Sequence, residues 1–222
     1  MTFSTKAIKY FSSLQMSPRP TKDVEMLNPY ENTEVLFVIK KFYEKFYNDD
    51  KERIFVFGIN PGRFGGGLTG IAFTDPLALK DHCGIENSLG NRKELSSKFI
   101  YTVAERFGGA DNFFSSVFLT ALFPFAIIKD GKNYNYYDEK SLANALKDEI
   151  VKTVRSQIEF GAKRDFAILL GKKNAEFFSP INEKYNFFEK IFVLEHPRYI
   201  MQYKLEQLDN YVKKYIYTIN KH

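Results

Sequence analysis

Two residues stand out for chemistry, an asparagine and a histidine, each followed at once by proline: Asn60-Pro61-Gly62 and His196-Pro197. Asn60 opens a long loop, Asn60-Pro61-Gly62-Arg63-Phe64-Gly65-Gly66-Gly67-Leu68-Thr69-Gly70-Ile71-Ala72-Phe73. Pro61 cannot continue a central strand and biases Asn60 toward an extended backbone. The glycines allow a ligand to approach the main chain closely. An asparagine held just before Pro-Gly at a strand end is a stronger pointer to chemistry than the glycines that follow it. The loop is equally compatible with cradling a phosphate or with a flexible turn. It is not a P-loop, because no Gly-Lys-Ser/Thr follows.

His196 lies in Glu195-His196-Pro197-Arg198-Tyr199-Ile200-Met201. A lone histidine is more often structural than catalytic, but a strand end at the ligand edge reverses that balance. Arg198, with Tyr199, Ile200 and Met201 reading as exposed, suits a wedge pressed into a nucleic-acid groove. Gly171-Lys172-Lys173-Asn174 offers free N–H groups at a helix start beside two lysines. That is a seat for phosphate or an ordinary solvated surface. Asn133-Tyr134-Asn135-Tyr136-Tyr137-Asp138 would line a pocket or, the preferred reading, form a turn with Asp138 capping a helix.

Four apolar runs must position these groups. They are read as buried strands over Arg53–Ile59, Ser116–Leu122, Asp165–Leu170 and Lys190–Leu194. Helical faces alternate with them. Val35, Val38, Ile39, Phe42 and Phe46 follow a cap at Asn32, and Leu95, Phe99, Val103 and Phe107 stop at Gly108-Gly109. Leu142, Leu146, Ile150, Val154 and Ile158 stop at Gly161, and Leu205, Leu208, Val212, Tyr215 and Ile219 form a last helix. A further helix is expected from Thr5 to Gln15. Apolar strands alternating with helices predict an α/β domain with a four-stranded parallel sheet and helices on both faces. Ligands then bind at the carboxyl ends of the strands, where every candidate above sits. One domain is expected over residues 1–222, with 1–27 as an N-terminal helical extension.

The chain has 222 residues, 44% of them hydrophobic, which suits one globular domain with a sizeable core. A net charge of +5 with pI near 9.0 is compatible with a polyanionic partner, though no basic block or tail concentrates it. The single cysteine, Cys83, excludes an internal disulfide, a CxxC pair and a four-thiolate metal site. With three histidines only, no metal is expected. No signal peptide and no apolar stretch of spanning length is read, so no membrane association and a cytoplasmic location are expected.

The strand ending in Asn60-Pro61-Gly62-Arg63-Phe64-Gly65, the Thr69-Gly70 and Phe73 that follow, and the later His196-Pro197 together resemble the uracil-DNA glycosylase superfamily. The nearest branch looks like the single-strand-selective monofunctional enzymes and their bacterial relatives. The likeness begins at Asn28-Pro29-Tyr30-Glu31 and runs to the His196 segment. It implies that Asn60 holds the attacking water and that His196 donates to the O2 oxygen of the departing base. Phe73 would stack on the flipped base, while the backbone at Ile59 and Gly62, together with Phe64, Ala121 and Asn135, would bound the base. Arg63, Lys172, Lys173, Arg198, Tyr199 and Ile200 would meet DNA. The implied partner is DNA carrying uracil or another damaged base, acted on by a monomer without a cofactor. The chemistry would be hydrolysis without a lysine nucleophile, hence no strand cleavage.

Two positions depart from the family pattern. The relatives carry an asparagine that reads the pyrimidine edge where this chain has Ala121, so discrimination falls to the backbone, Thr120 or Asn135. The relatives carry His-Pro-Ser-Pro-Arg where this chain has His196-Pro197-Arg198-Tyr199-Ile200. The alternatives are a lesion-binding protein of the same fold without turnover, favoured by Ala121, and a nucleotide or small-metabolite enzyme, favoured only by the glycine loop.

Overall fold

In chain order, the computed structural model, described over residues 1–16 and 23–221, begins with α1 (Phe3–Ser12), β1 (Glu25–Leu27) and α2 (Thr33–Phe46). β2 (Arg53–Gly58) leads into α3 (Gly66–Thr69), α4 (Pro76–Asp81), α5 (Leu95–Arg106) and α6 (Ala110–Ser116). Next come β3 (Val117–Ala121), β4 (Ala126–Lys129), β5 (Lys132–Tyr134) and α7 (Lys140–Ile158). β6 (Ala162–Leu170), α8 (Lys172–Tyr185), β7 (Lys190–Leu194), α9 (Pro197–Tyr203) and α10 (Leu208–Asn220) complete the fold.

The principal sheet is parallel, in the order β3-β2-β6-β7. Its strands are the four expected ones; β6 starts three residues earlier than its apolar run because Ala162 pairs with Arg53. Registers Gly58↔Ala121, Phe57↔Leu169 and Leu170↔Leu194 bring the carboxyl ends level. The segments that follow therefore meet on one rim. A small antiparallel sheet, β1-β4-β5, has no counterpart among the expected elements and stands beside that rim.

The helices form where the apolar period predicts them. Asn32 caps α2 by accepting from the Glu34 amide at 2.9 Å. α1 is shorter than Thr5–Gln15 at its far end, because Ser13 already closes it as the C-cap. Its buried face, Phe3, Ala7 and Phe11, joins the core: Phe11 stacks on Tyr43 (5.5 Å) and Phe3 meets Phe118 of β3 at 5.0 Å. The expected cap at Asp138 is not made. Glu139 is the N-cap of α7, and the Asp138 carboxylate instead accepts from the Asn135 amide at 2.8 Å. The turn reading holds, but the carboxylate faces back along the chain.

An arginine lies inside the core. Arg53, at the start of β2, has no exposed surface. It donates to the carbonyls of Phe114 (2.9 Å), Lys51 (2.9 Å) and Phe46 (3.3 Å) and pairs with Asp49 at 2.8 Å. Its guanidinium also covers the rings of Tyr47 and Phe3. Arg53→Ala removes a donor from three carbonyls and from the Asp49 carboxylate, which keeps only the Lys51 amide. It is expected to lower unfolding stability by about 3–5 kcal/mol in a denaturant titration.

Candidate active site

The rim holds a small cavity of about 80 Å³ lined by residues from the ends of β2, β3 and β7 and from the 133–135 segment. Asn60, after β2, and His196, after β7, both line it, together with Phe73, Ala121 and Asn135. Ile59 and Gly62 complete one wall.

Asn60 is aimed by backbone alone. Its Nδ2 donates to the Tyr134 carbonyl at 3.0 Å, and its Oδ1 accepts from the Tyr136 amide at 3.2 Å. These two bonds fix which end of the amide is which and leave one N–H and one lone pair for a ligand. The segment that holds it is anchored in turn. The Tyr136 hydroxyl donates to Asn174 Oδ1 at 2.6 Å, and Asn174 Nδ2 reaches the Phe57 carbonyl of β2 at 3.3 Å. Asn174 is fully buried. In sequence it belongs only to a candidate phosphate seat, and nothing in its neighbourhood signals a buried anchor.

His196 is the N-cap of α9, with Pro197 in the first turn. Its Nδ1 accepts from the Arg198 amide at 3.2 Å. An acceptor at Nδ1 leaves the proton of a neutral ring on Nε2. Burial, reinforced by the positive charge of Arg198, lowers its pKa to about 4. The ring is therefore a neutral donor at physiological pH.

Phe73 adopts φ 55°, a left-handed conformation that bulky residues rarely accept. The loop around it is stapled by two buried threonines. Thr69 Oγ1 donates to the Thr74 carbonyl at 2.6 Å and accepts from the Ile71 amide at 3.1 Å. Thr74 Oγ1 lies 3.0 Å from the Tyr101 hydroxyl. Tyr30, from the Asn28-Pro29-Tyr30-Glu31 segment, donates to the Gly70 carbonyl at 3.2 Å. The Phe73 ring rests over Gly58 and lies 5.9 Å from the His196 ring.

Several expected placements do not occur. Phe64 is outside the cavity; it projects outward at 36% exposure, with the guanidiniums of Arg63 and Arg92 over its ring at 4.4 and 5.1 Å. Ile200 is fully buried, because residues 197–203 are a helix and not a protruding loop, so it cannot wedge into DNA. Met201 is buried with it, whereas Tyr199 is exposed. Thr120 does not line the cavity; its hydroxyl donates to Gln157 Oε1 at 2.9 Å. Lys172 and Lys173 are exposed at the start of α8; Lys172 borders a neighbouring groove, and neither lines the cavity. Arg63 reaches the Gly131 carbonyl, while Arg198 lines the cavity.

Glu94, the N-cap of α5, also lines the cavity and carries no motif that would mark it in the sequence. Burial is the main force raising its carboxyl to a pKa of about 7; Arg198 opposes the rise and Asp75 adds to it. Among the described residues, no group of three or more His, Cys, Asp or Glu could hold a metal ion. Nor is any described helix long and apolar enough to cross a membrane.

A parallel four-stranded sheet whose rim joins an asparagine, a histidine and a loop-borne phenylalanine defines a known class. The uracil DNA glycosylase superfamily model matches residues 44–219, and the chain belongs to that superfamily. Among solved structures it is similar to wild-type Pedobacter heparinus SMUG2, with 38% sequence identity and a TM-score of 0.95. That alignment covers all of this chain and 98% of the other. A comparison with curated protein sequences returns no match.

Proposed function

We propose that this chain is a monofunctional DNA glycosylase that hydrolyses the bond between deoxyribose and uracil, or a related damaged base. One observation carries the reading: Asn60 and His196, far apart in sequence, border one cavity beside the Phe73 ring. The glycosidic bond weakens first, leaving a sugar cation and a base anion. Asn60 places water beside the electrophilic carbon, and its free lone pair and N–H are the groups available for that task. His196 donates from Nε2 to the O2 oxygen as negative charge develops there, an interaction worth roughly 3 kcal/mol. Among the described residues no lysine lines the cavity, which supports hydrolysis without a covalent intermediate.

Ala121 presents no hydrogen-bonding side chain at the end of β3. Reading of the base edge falls to main-chain groups and to Asn135, whose amide is tethered to Asp138 at 3.1 Å. DNA would approach across Arg63, Phe64, Arg198 and Tyr199, with Lys172 and Lys173 meeting flanking phosphates.

The test is an oligonucleotide panel carrying uracil, hydroxymethyluracil, hypoxanthine or xanthine, in single and double strands, scored for abasic sites. Release of at least one base is expected, without strand cleavage. Absence of release from every substrate, with binding retained, would move the chain to a lesion-binding role.

The ring over Gly58 gives a further expectation. A β-carbon at that position would lie 2.6 Å from Phe73 Cζ and 2.8 Å from its Cε2. Gly58→Ala should push the stacking ring out of place and slow base release by about tenfold to a hundredfold in single-turnover assays.

A further inference from the structure

We propose that Glu94 is the specificity-determining residue of the base cavity, a displaceable plug whose volume decides whether a base larger than uracil can enter. This rests on the glycosylase reading above and adds a residue to it.

The observations begin with two glycines. A β-carbon at Gly62 or at Gly65 would collide with the Glu94 carboxyl oxygens. The loop after Asn60 therefore leaves a notch, and the carboxyl group fills it. Glu94 is also a lining residue of a second, larger groove of about 550 Å³ that runs beside α4 and α5. It stands as the partition between that groove and the cavity of about 80 Å³.

The partition is anchored at its base and loose at its tip. The Glu94 amide donates to Asp75 Oδ2 at 2.8 Å, and Asp75 itself caps α4, so the main chain is fixed. The other carboxamide and imidazole groups of the cavity are held: Asn60 by Tyr134 and Tyr136, Asn133 by the Arg63 amide, Asn135 by Asp138, His196 by the Arg198 amide. The Glu94 carboxyl has no such hydrogen bond among the described residues. A side chain without a hydrogen bond of its own moves at a lower cost than its tethered neighbours. With its pKa raised to about 7, the carboxyl populates both its neutral and its charged form near neutral pH, and the neutral form can lie beside a base without a counter-ion.

A single-ring base is accommodated with the plug in or near its place. A purine lesion must drive the carboxyl toward the groove, and selection between the two follows from that displacement.

The experiment compares the wild-type chain with Glu94→Ala and Glu94→Gln. Release of uracil and of hypoxanthine from matched duplexes is measured in single turnover. In parallel, equilibrium affinity is measured for duplexes carrying 2′-fluorinated, hydrolysis-resistant deoxyuridine or deoxyinosine. Glu94→Ala is expected to raise the hypoxanthine-to-uracil ratio tenfold or more in both measurements, while Glu94→Gln, equal in volume, stays within threefold of wild type. An unchanged ratio in Glu94→Ala overturns the proposal. So does a Gln variant that behaves like the Ala variant, which would mean charge selects and volume does not. An equal loss of release for both bases with unchanged affinities would also overturn it, by placing Glu94 in the chemical step. If the wild type releases no base at all, the glycosylase reading fails, and the affinity ratio alone still decides the role of the plug.

Discussion

Asn60→Ala is expected to lower single-turnover base release by about a hundredfold or more, with little change in affinity for DNA carrying an abasic site. The loss follows from geometry and not from basicity. The carboxamide is fixed between the Tyr134 carbonyl and the Tyr136 amide, so a water bound to its remaining positions is held in one place. Without it, water enters the cavity unaligned. The same change strands a carbonyl and an amide, so some loss of thermal stability accompanies it, on the order of 1–3 kcal/mol. Measuring the melting temperature beside the rate separates the two. Asn60→Asp sharpens the point, because the Tyr134 carbonyl would then face a carboxylate oxygen in place of an N–H. That acceptor–acceptor contact should turn the group away from its native orientation, so aspartate is expected to rescue little activity despite being the stronger base. Full activity in Asn60→Ala would remove this residue from the reaction.

His196→Leu is expected to slow release by about 10²–10³, the range for loss of one donor to a developing oxyanion. The donor is Nε2–H, because Nδ1 is occupied by the Arg198 amide. Leucine keeps apolar bulk against Phe73 but has nothing to offer the O2 oxygen. It also deletes the cap of α9, so circular dichroism should accompany the kinetics. The pH dependence has a definite sign. With a pKa lowered to about 4, the ring gains a proton only below that value and stays neutral through the physiological range. Nitrogen-15 spectra should therefore find the proton on Nε2, with the ring uncharged throughout the physiological range. An imidazole that titrates at its ordinary value, or one protonated on Nδ1, would contradict the assignment.

The parts of this architecture that can be read from residues are those with strong, continuous patterns. The four strands are unbroken apolar runs, and α2, α5, α7 and α10 carry long helical stripes, so burial alone dictates them. Asn60-Pro61-Gly62 and His196-Pro197 are visible because proline marks where each strand must end. What escapes is short or non-local. β4 and β5 span four and three residues, and two of the three in β5 are exposed, below the length at which alternation means anything. α9 is seven residues long, too short for a period to separate its buried side from its exposed one. Ile200 and Tyr199 accordingly look alike in sequence, although one is buried and the other exposed. Glu94 and Asn174 are invisible for another reason. Each acts through a group brought near by the fold: Glu94 through the glycines of another segment, Asn174 through Tyr136 and β2.

The clamp on Asn60 has an evolutionary consequence. Residues 134–136 aim the carboxamide with main-chain atoms, while Tyr134 and Asn135 contribute to the wall that meets the base. Substitution at 134 or 135 can therefore rewrite the wall without disturbing the alignment of Asn60, since any residue at 134 supplies the same carbonyl and Tyr136 still supplies the amide. If the proposed glycosylase reading holds, preference for one lesion over another is free to drift among descendants of this chain while the orientation of Asn60 is inherited intact.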